Sequence, residues 1–344
     1  MRTVSLLGDR QVEVRDLPEP EPRQDHVVVK VMASSICGTE RHAYDHGMAA
    51  LARSNGVQNA GHEATGVVWK AMSASTLKEG RRVNLFAVRS HCGRCRHCAK
   101  GRWVLCQGES GPPTSVGFHS QYVLLRQDMC LPLADDVSFD TGALFSDVLG
   151  TTLHAIKRLR LQGGESVLIA GQGPVGLAAT LVASFFGVTV IAVDLSDARL
   201  DLARRCGAAA TINSANEDLD QRVRELAGRE GVDAAIDCAG YEATRLACLR
   251  AVRRGGRVAL VGLAEGLRLD GANYRDNFFL KDLDLIASWY SDPADMFELE
   301  DMVRRGLDPA RLVTHAYPLE AAPAAYETMF GGASGKVILN AWPA

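Results

Sequence analysis

No stretch of this chain is apolar for long enough to cross a bilayer. The longest apolar runs, such as Val188–Val193, are strand-length, against the ~20 residues a spanning helix needs. The opening Met1-Arg-Thr-Val-Ser-Leu-Leu-Gly-Asp-Arg10 has neither an apolar core of signal-peptide length nor a small-residue cleavage site. Both absences point to a cytoplasmic protein with no membrane partner. A basic excess is missing too: 38 Lys and Arg stand against 41 Asp and Glu, a formal net charge of −3. With no surplus cations to neutralise phosphates, nucleic acid is not expected as a partner. Long internal repeats and low-complexity tracts are also absent.

What is present is a length of 344 residues with 47% hydrophobic content, enough for about two domains with real cores. Up to residue ~150 the pattern is β-rich, with short apolar runs at His26–Met32, Gly66–Trp69, Arg82–Val88 and Gln121–Leu125 between Gly and Pro clusters. An amphipathic stretch, Thr151–Leu161, opens a different regime. Expected strands at Ser166–Ala170, Thr189–Asp194, Ala210–Ile212, Asp233–Asp237, Arg257–Val261 and Leu283–Ala287 alternate with helical patterns such as Val175–Phe186, Ala198–Cys206 and Glu217–Ala227. Six such strands read as a doubly wound parallel sheet, so the fold class is α/β. The tail, from about Pro293, carries two helical patterns and a strand at Lys336–Leu339, expected to fold back onto the first domain.

Directly after the first of these strands stands Gly171-Gln-Gly173-Pro174-Val175-Gly176. Gly171 permits a tight turn, Gly173 a close approach of backbone to a pyrophosphate, and Gly176 close packing of the following helix, whose N-terminal N–H groups favour phosphate. Asp194 ends the next strand, eighteen residues past Gly176. A carboxylate there accepts hydrogen bonds from ribose hydroxyls and repels a 2′-phosphate, which favours NAD over NADP. Arg199 is a counter-signal, because an arginine pairs with a 2′-phosphate. The alternative for Asp194 is a cap on helix Ala198–Cys206.

Nine cysteines are present, and Cys92, Cys95, Cys98 and Cys106 crowd one segment with C-x2-C-x2-C-x7-C spacing. Four thiolates complete the tetrahedral shell of a structural zinc. An iron–sulfur cluster is the rival. The nearby His91 and His97 are expected to be solvated neighbours. Cys130, Cys206, Cys238 and Cys248 lie in apolar runs and are expected to be inert core.

Two further segments, Cys37-Gly-Thr-Glu-Arg-His42 and Gly61-His-Glu-Ala-Thr-Gly66, complete a pattern. Taken with the cysteine lobe and the glycine loop in this order, the chain resembles the zinc-containing medium-chain dehydrogenases, nearly end to end. That resemblance implies a β-rich GroES-like catalytic domain over 1–150 and 290–344, with a structural zinc lobe at 91–107. A Rossmann NAD-binding domain then spans 151–289. It implies Cys37 and His62 as ligands of a catalytic zinc, with Glu63 beside them as a transient ligand. Thr39 would receive the substrate proton, and His42 would continue the relay to water by way of the nicotinamide ribose. The third ligand falls at Asp147, where relatives usually have Cys or Glu. If Asp147 instead caps the following helix, Glu63 takes its place.

Thiolate, carboxylate and neutral imidazole balance Zn²⁺ and leave one position open to an alcohol oxygen. The resemblance thus implies two zinc ions per chain, NAD, a small-molecule secondary alcohol or its carbonyl partner as substrate, and a homodimer or homotetramer. The reverse reaction, carbonyl reduction with NADH, uses the same residues; a dinucleotide-binding regulator without turnover would not need the relay. Glu40, where the family more often has Asp, is expected to anchor a ligand from behind. Trp289 and Tyr290 are expected either to shape the substrate pocket or to pack between domains. Tyr44, His46, Arg53 and Asn55 offer polar contacts or lie on a solvated loop.

Overall fold

Period-two burial along a valine-rich segment builds the sheet that carries the first site. The computed structural model describes residues 1–48, 60–86, 91–107, 117–263, 266 and 268–342. They fall into two units. One comprises Met1–Gly150, Tyr290–Gly306 and Val313–Ala344; the other comprises Thr151–Trp289 and Leu307–Leu312. The short Leu307–Leu312 piece sits with the second unit, whereas its place in the sequence assigned it to the first.

A hairpin of β1 (Arg2–Gly8) and β2 (Gln11–Asp16) opens the first unit, turning at Asp9 and Arg10 with positive φ. The long β3 (His26–Ser35) pairs antiparallel with β4 (Glu63–Lys70) and, on its outer half, with β6 (Tyr122–Arg126). Next to β4 lies β5 (Arg82–Phe86), followed by β7 (Cys130–Pro132). Val27, Val29 and Val31 point inward against Ala64, Val68, Val83, Leu85, Val123 and Leu125. The register Ser34↔Ala64 matters most. Because the strands are antiparallel, the residues leaving β3 and those entering β4 emerge at the same end. Cys37 and His62 are therefore neighbours by topology. After α1 (Arg41–His46), α2 (Phe139–Ala143) is capped by the Ser138 hydroxyl, which accepts from Thr141 N–H. A π-helical turn at Phe145–Leu149 follows it.

The helix α3 (Gly150–Leu159) leads into the second unit. There β8 (Ser166–Ala170), α4 (Pro174–Phe185), β9 (Thr189–Asp194), α5 (Asp197–Arg205), β10 (Ala210–Asn213), α6 (Leu219–Ala227), β11 (Val232–Asp237), α7 (Glu242–Ala251), β12 (Val252–Leu260) and β13 (Asp284–Ala287) follow in turn. The six strands are parallel and ordered β10-β9-β8-β11-β12-β13. That order is the doubly wound arrangement whose direction of winding reverses between β8 and β11, the place where such sheets bind ligands.

The chain then returns to the first unit through α8 (Pro293–Arg304), β14 (Val313–Pro318), α9 (Ala322–Phe330) and β15 (Lys336–Asn340). As expected of the tail strand, β15 folds back. It inserts between β14 and β3, with Ile338 opposite Ser35. No helix among the described residues is long and apolar enough to cross a membrane.

Candidate metal and dinucleotide sites

At the shared end of β3 and β4, His62 Nε2 lies 2.9 Å from Asp147 Oδ2, and Cys37 Sγ lies 3.3 Å from the same oxygen. With a Glu63 carboxylate oxygen, these ligand atoms all fall within 4.8 Å of one another. The π-helical turn presents Asp147 here, so its carboxylate faces Cys37 and His62. Burial first, then the Asp147 carboxylate, pushes the Cys37 thiol above its ordinary value. Burial opposes a charge on His62, yet Cys37 and Asp147 outweigh it and hold the imidazole well above its ordinary value. Such a cluster is short of positive charge. A divalent cation supplies it and displaces the protons, so the donor set fits a metal with thiolate, imidazole and carboxylate ligands. Thr39, exposed, donates its hydroxyl to Cys37 Sγ at 3.3 Å.

Four residues around this cluster give no signal in the sequence. Lys336 on β15 is buried; its Nζ lies 2.5 Å from Glu63 Oε2 and donates to Ile36 O at 2.9 Å. Ser35 Oγ donates to the same Glu63 oxygen. Burial pushes the Glu63 carboxyl up, and Lys336 partly offsets it. Behind His62, its Nδ1 faces Glu40 Oε1 at 3.7 Å, and Glu40 Oε2 accepts from His119 Nε2 at 3.2 Å and from the Tyr326 hydroxyl. Burial raises the Glu40 carboxyl, but His119, then His62 and Tyr326, bring it below its ordinary value. These partners come from remote segments that only the folded sheet assembles.

Tyr290 is buried, with φ of 54° and its ring edge-on to Phe86 at 5.6 Å. Its hydroxyl has no hydrogen-bond partner among the described residues. Burial, then Asp147, Glu63 and Cys37, push it well above its ordinary value, which places the phenol in the field of that cluster. Trp289 is exposed. His42 is exposed on α1, its ring 4.9 Å from that of His46. No hydrogen bond among the described residues joins it to Thr39. Tyr44 is buried against Tyr326 and Phe330, a core position rather than a solvated loop. Arg53 and Asn55 lie outside the described residues.

In the cysteine lobe, Cys95 Sγ stands 3.5 Å from Cys98 Sγ and 3.9 Å from Cys106 Sγ, and Cys92 Sγ stands 3.9 Å from Cys98 Sγ. A single tetrahedral ion with bonds of about 2.3 Å to sulfur spaces its ligands about 3.8 Å apart. An iron–sulfur cluster must be enclosed and spreads its thiolates further, so the spacing fits one ion. Backbone N–H groups of Arg94 and Cys95 point at Cys92 and lower its thiol to about 6. His91 corrects an expectation. It is buried, stacked on Trp103 at 3.7 Å, with Nε2 at 3.4 Å from Asp128, not solvated. Burial raises the thiols of Cys130, Cys206, Cys238 and Cys248.

The glycine loop leaves β8 where the sheet's winding reverses. A Cβ on Gly176 would stand 1.7 Å from Gly171 O, and one on Gly171 (φ +88°) would stand 2.7 Å from the Ala239 Cβ. Gly173 faces open space, as a backbone that receives a phosphate must. Pro174 and Val175 begin α4. Asp194 is not the cap of α5; Ser196 holds that position. Its Oδ2 accepts from Gln172 N–H at 2.6 Å, and its Oδ1 accepts from Leu195 and Ser196 N–H. The carboxylate is thereby tied to the glycine loop. Arg199 Nη1 lies 3.9 Å from Asp194 Oδ2, so its charge is directed at that carboxylate.

Residues 174–305 match the zinc-binding dehydrogenase domain, and residues 23–135 match the alcohol dehydrogenase GroES-like domain. A sorbitol dehydrogenase from Bacillus subtilis (strain 168) is 35% identical over 268 residues, covering 76% of this chain and 75% of that protein. An L-threonine 3-dehydrogenase from Anaeromyxobacter sp. (strain K) is 33% identical over 343 residues, covering 94% of each. Among solved structures, an alcohol dehydrogenase from Thermus sp. ATN1 superposes with a TM-score of 0.86 at 28% identity, over 99% of both chains. With both domains present and such relatives along most of its length, the chain belongs to the zinc-containing medium-chain dehydrogenases, oxidoreductases acting on CH–OH groups.

Proposed function

We propose that the chain is a zinc-dependent, NAD-linked dehydrogenase of a secondary alcohol, with a polyol, an amino-alcohol or a sugar-like molecule as substrate. The convergence of Cys37 Sγ and His62 Nε2 on one Asp147 oxygen, at 3.3 and 2.9 Å, carries this reading. Thiolate and carboxylate balance a doubly charged ion, and three ligands leave one position open. Held by these residues, zinc would supply Lewis acidity toward an alcohol or carbonyl oxygen, and a bound nicotinamide would supply hydride chemistry. The relatives named for sorbitol and for L-threonine support the substrate class.

The chain's own groups do the rest. Thr39 takes the hydroxyl proton from its place beside Cys37, and His42, exposed on α1, would continue the relay to water by way of the nicotinamide ribose. Glu63 stays next to the ligands, steadied by Lys336 and Ser35. Residues 1–150 and 290–344 form the catalytic part, with a second zinc held by Cys92, Cys95, Cys98 and Cys106. Residues 151–289 bind the dinucleotide. Gly171, Gly173 and Gly176 cradle the pyrophosphate, with Pro174 and Val175 at the helix N-terminus. Asp194 takes the adenosine ribose and favours NAD, while Arg199 is drawn toward that carboxylate. The enzyme works in the cytoplasm as a homodimer or homotetramer. Strand β13 supports association, for it is the edge of its sheet and carries exposed Leu285.

The deciding experiment combines a panel of secondary alcohols, followed by NADH absorbance, with a metal count. Wild type should hold two zinc ions per chain, and Cys37→Ala one, with turnover abolished. A Cys37→Ala protein that keeps both ions and its activity would defeat the assignment.

A further inference from the structure

The buried groups behind His62 form a one-way chain of hydrogen bonds. Ser34 Oγ lies 2.8 Å from His119 Nδ1, His119 Nε2 lies 3.2 Å from Glu40 Oε2, and the Tyr326 hydroxyl donates to that same oxygen. Ser34, Glu40, His119 and Tyr326 are each no more than 1% exposed. Since Glu40 can only accept, Nε2 of His119 carries its hydrogen. Ser34 Oγ lies against Nδ1 on the other side of the ring, and both groups that donate to Glu40 converge on one carboxylate oxygen. Both donors to Glu40 use Oε2. Oε1 is buried with no hydrogen-bond partner among the described residues and faces His62 Nδ1 at 3.7 Å. A buried carboxylate oxygen left unmatched is destabilising. A network whose purpose was only to satisfy Glu40 would divide its donors between the two oxygens.

His119 also touches the backbone just ahead of His62. Gly61, immediately before His62, has φ +85°, and a Cβ there would come within 2.6–2.8 Å of His119 N, Cγ and Nδ1. Phe118 N–H and His119 N–H donate to Gly61 O and Ala60 O at 3.1 and 3.3 Å. The imidazole of His119 thus lies flush against the peptide that leads into His62, while its far nitrogen grips Glu40.

We propose that His119 and Tyr326 are positioning residues for the catalytic metal: they clamp Glu40 so that its free oxygen orients His62 for coordination through Nε2. The inference rests on the reading of Cys37, His62 and Asp147 as metal ligands. It extends the known value of a group behind a ligating histidine, worth 10–100-fold in metal affinity, by one further layer that starts from β15's neighbour α9 and the segment before β6.

The test follows zinc release from the loaded protein to a coloured chelator. A Cys37→Ser protein reports the four-cysteine site alone and so identifies its phase. Tyr326→Phe removes one oxygen and keeps the ring; it should speed release from the Cys37 site about threefold to tenfold and leave the four-cysteine phase unchanged. His119→Ala should do the same, and His119→Gln, which retains a donor, should recover part of the loss. In a Glu40→Gln background Tyr326→Phe should have no added effect, because the tyrosine acts through Glu40. Unchanged release from the Cys37 site would overturn the proposal. So would equal acceleration at both sites, which marks general loosening, or a full effect persisting without the Glu40 carboxylate. If Cys37→Ser does not lower the zinc count at all, the metal-ligand reading itself falls, and the clamp with it.

Discussion

At the scale of single residues, charge balance governs the first site. Glu63 is wholly buried, and Lys336 is its cation. Removing one partner of a buried pair strands the other, at a cost of about 3–5 kcal/mol. Lys336→Met should therefore lower the chemical-unfolding midpoint by that equivalent; a protein within about 1 kcal/mol of wild type would show that Glu63 does not depend on the pair. The proposed role of Asp194 is toward the cofactor instead. Asp194→Gly should raise the NADP-to-NAD ratio of kcat/KM at least about tenfold, or 1.4 kcal/mol, and a wild type that already prefers NADP would refute the role. Residues of this kind were unequally legible. Cys37, His62 and Asp147 stand in recognisable segments, and two of them flank paired strands. Lys336, His119 and Tyr326 come from stretches remote in sequence from Glu40 and Glu63, and nothing local marks a lysine as destined for a core.

At the scale of elements, periodicity served the second unit well. Strands β8 and β9 match their expected limits, and the glycine loop falls between β8 and α4 as its spacing requires. The pattern failed at β12, which begins at Val252 rather than Arg257, because a break in the Val232/Ala234 pairing register admits the polar Arg253-Arg-Gly-Gly segment. It also missed the π-helical turn that aims Asp147, since one extra residue in a turn has no signature in hydrophobic spacing. The start of the parallel sheet is tied by Asp233, which accepts from Ser166 N–H and Oγ–H and from Arg253. Burial raises its carboxyl, but these partners prevail and hold it below its ordinary value. A depressed carboxyl stabilises fully above its unfolded pKa and ceases to do so as pH falls through the folded one. Asp233→Ala should cost about 1–2 kcal/mol at neutral pH, and the gap to wild type should narrow below about pH 4. A gap independent of pH would assign the loss to packing.

At the scale of the whole molecule, β13 leaves one side of a six-stranded sheet without a partner strand among the described residues. Leu285 on it is 39% exposed, with Tyr274 and Phe279 also exposed in the segment before it. Open sheet edges with apolar side chains favour pairing with a second copy. If the proposed oligomer forms along this edge, Leu285→Arg should reduce the mass seen by light scattering to that of a smaller assembly while the metal count stays the same; an unchanged mass would rule this edge out as the interface. The sequence offered no view of this edge, because strand order within a sheet is a property of topology and not of local pattern.

The late insertion of β15 between β14 and β3 has a consequence for biosynthesis. On the ribosome, Cys37, His62 and Asp147 all emerge early, yet Lys336 and the strand that closes their sheet come last. At 5–20 residues per second these three residues wait roughly ten to forty seconds for that strand. During this interval the nascent chain exposes an unfinished β-sheet and a thiol-rich lobe, while the second unit, contiguous but for Leu307–Leu312, is free to fold. A message truncated before codon 336 would encode every proposed metal ligand and still yield a chain without the cation that Glu63 requires.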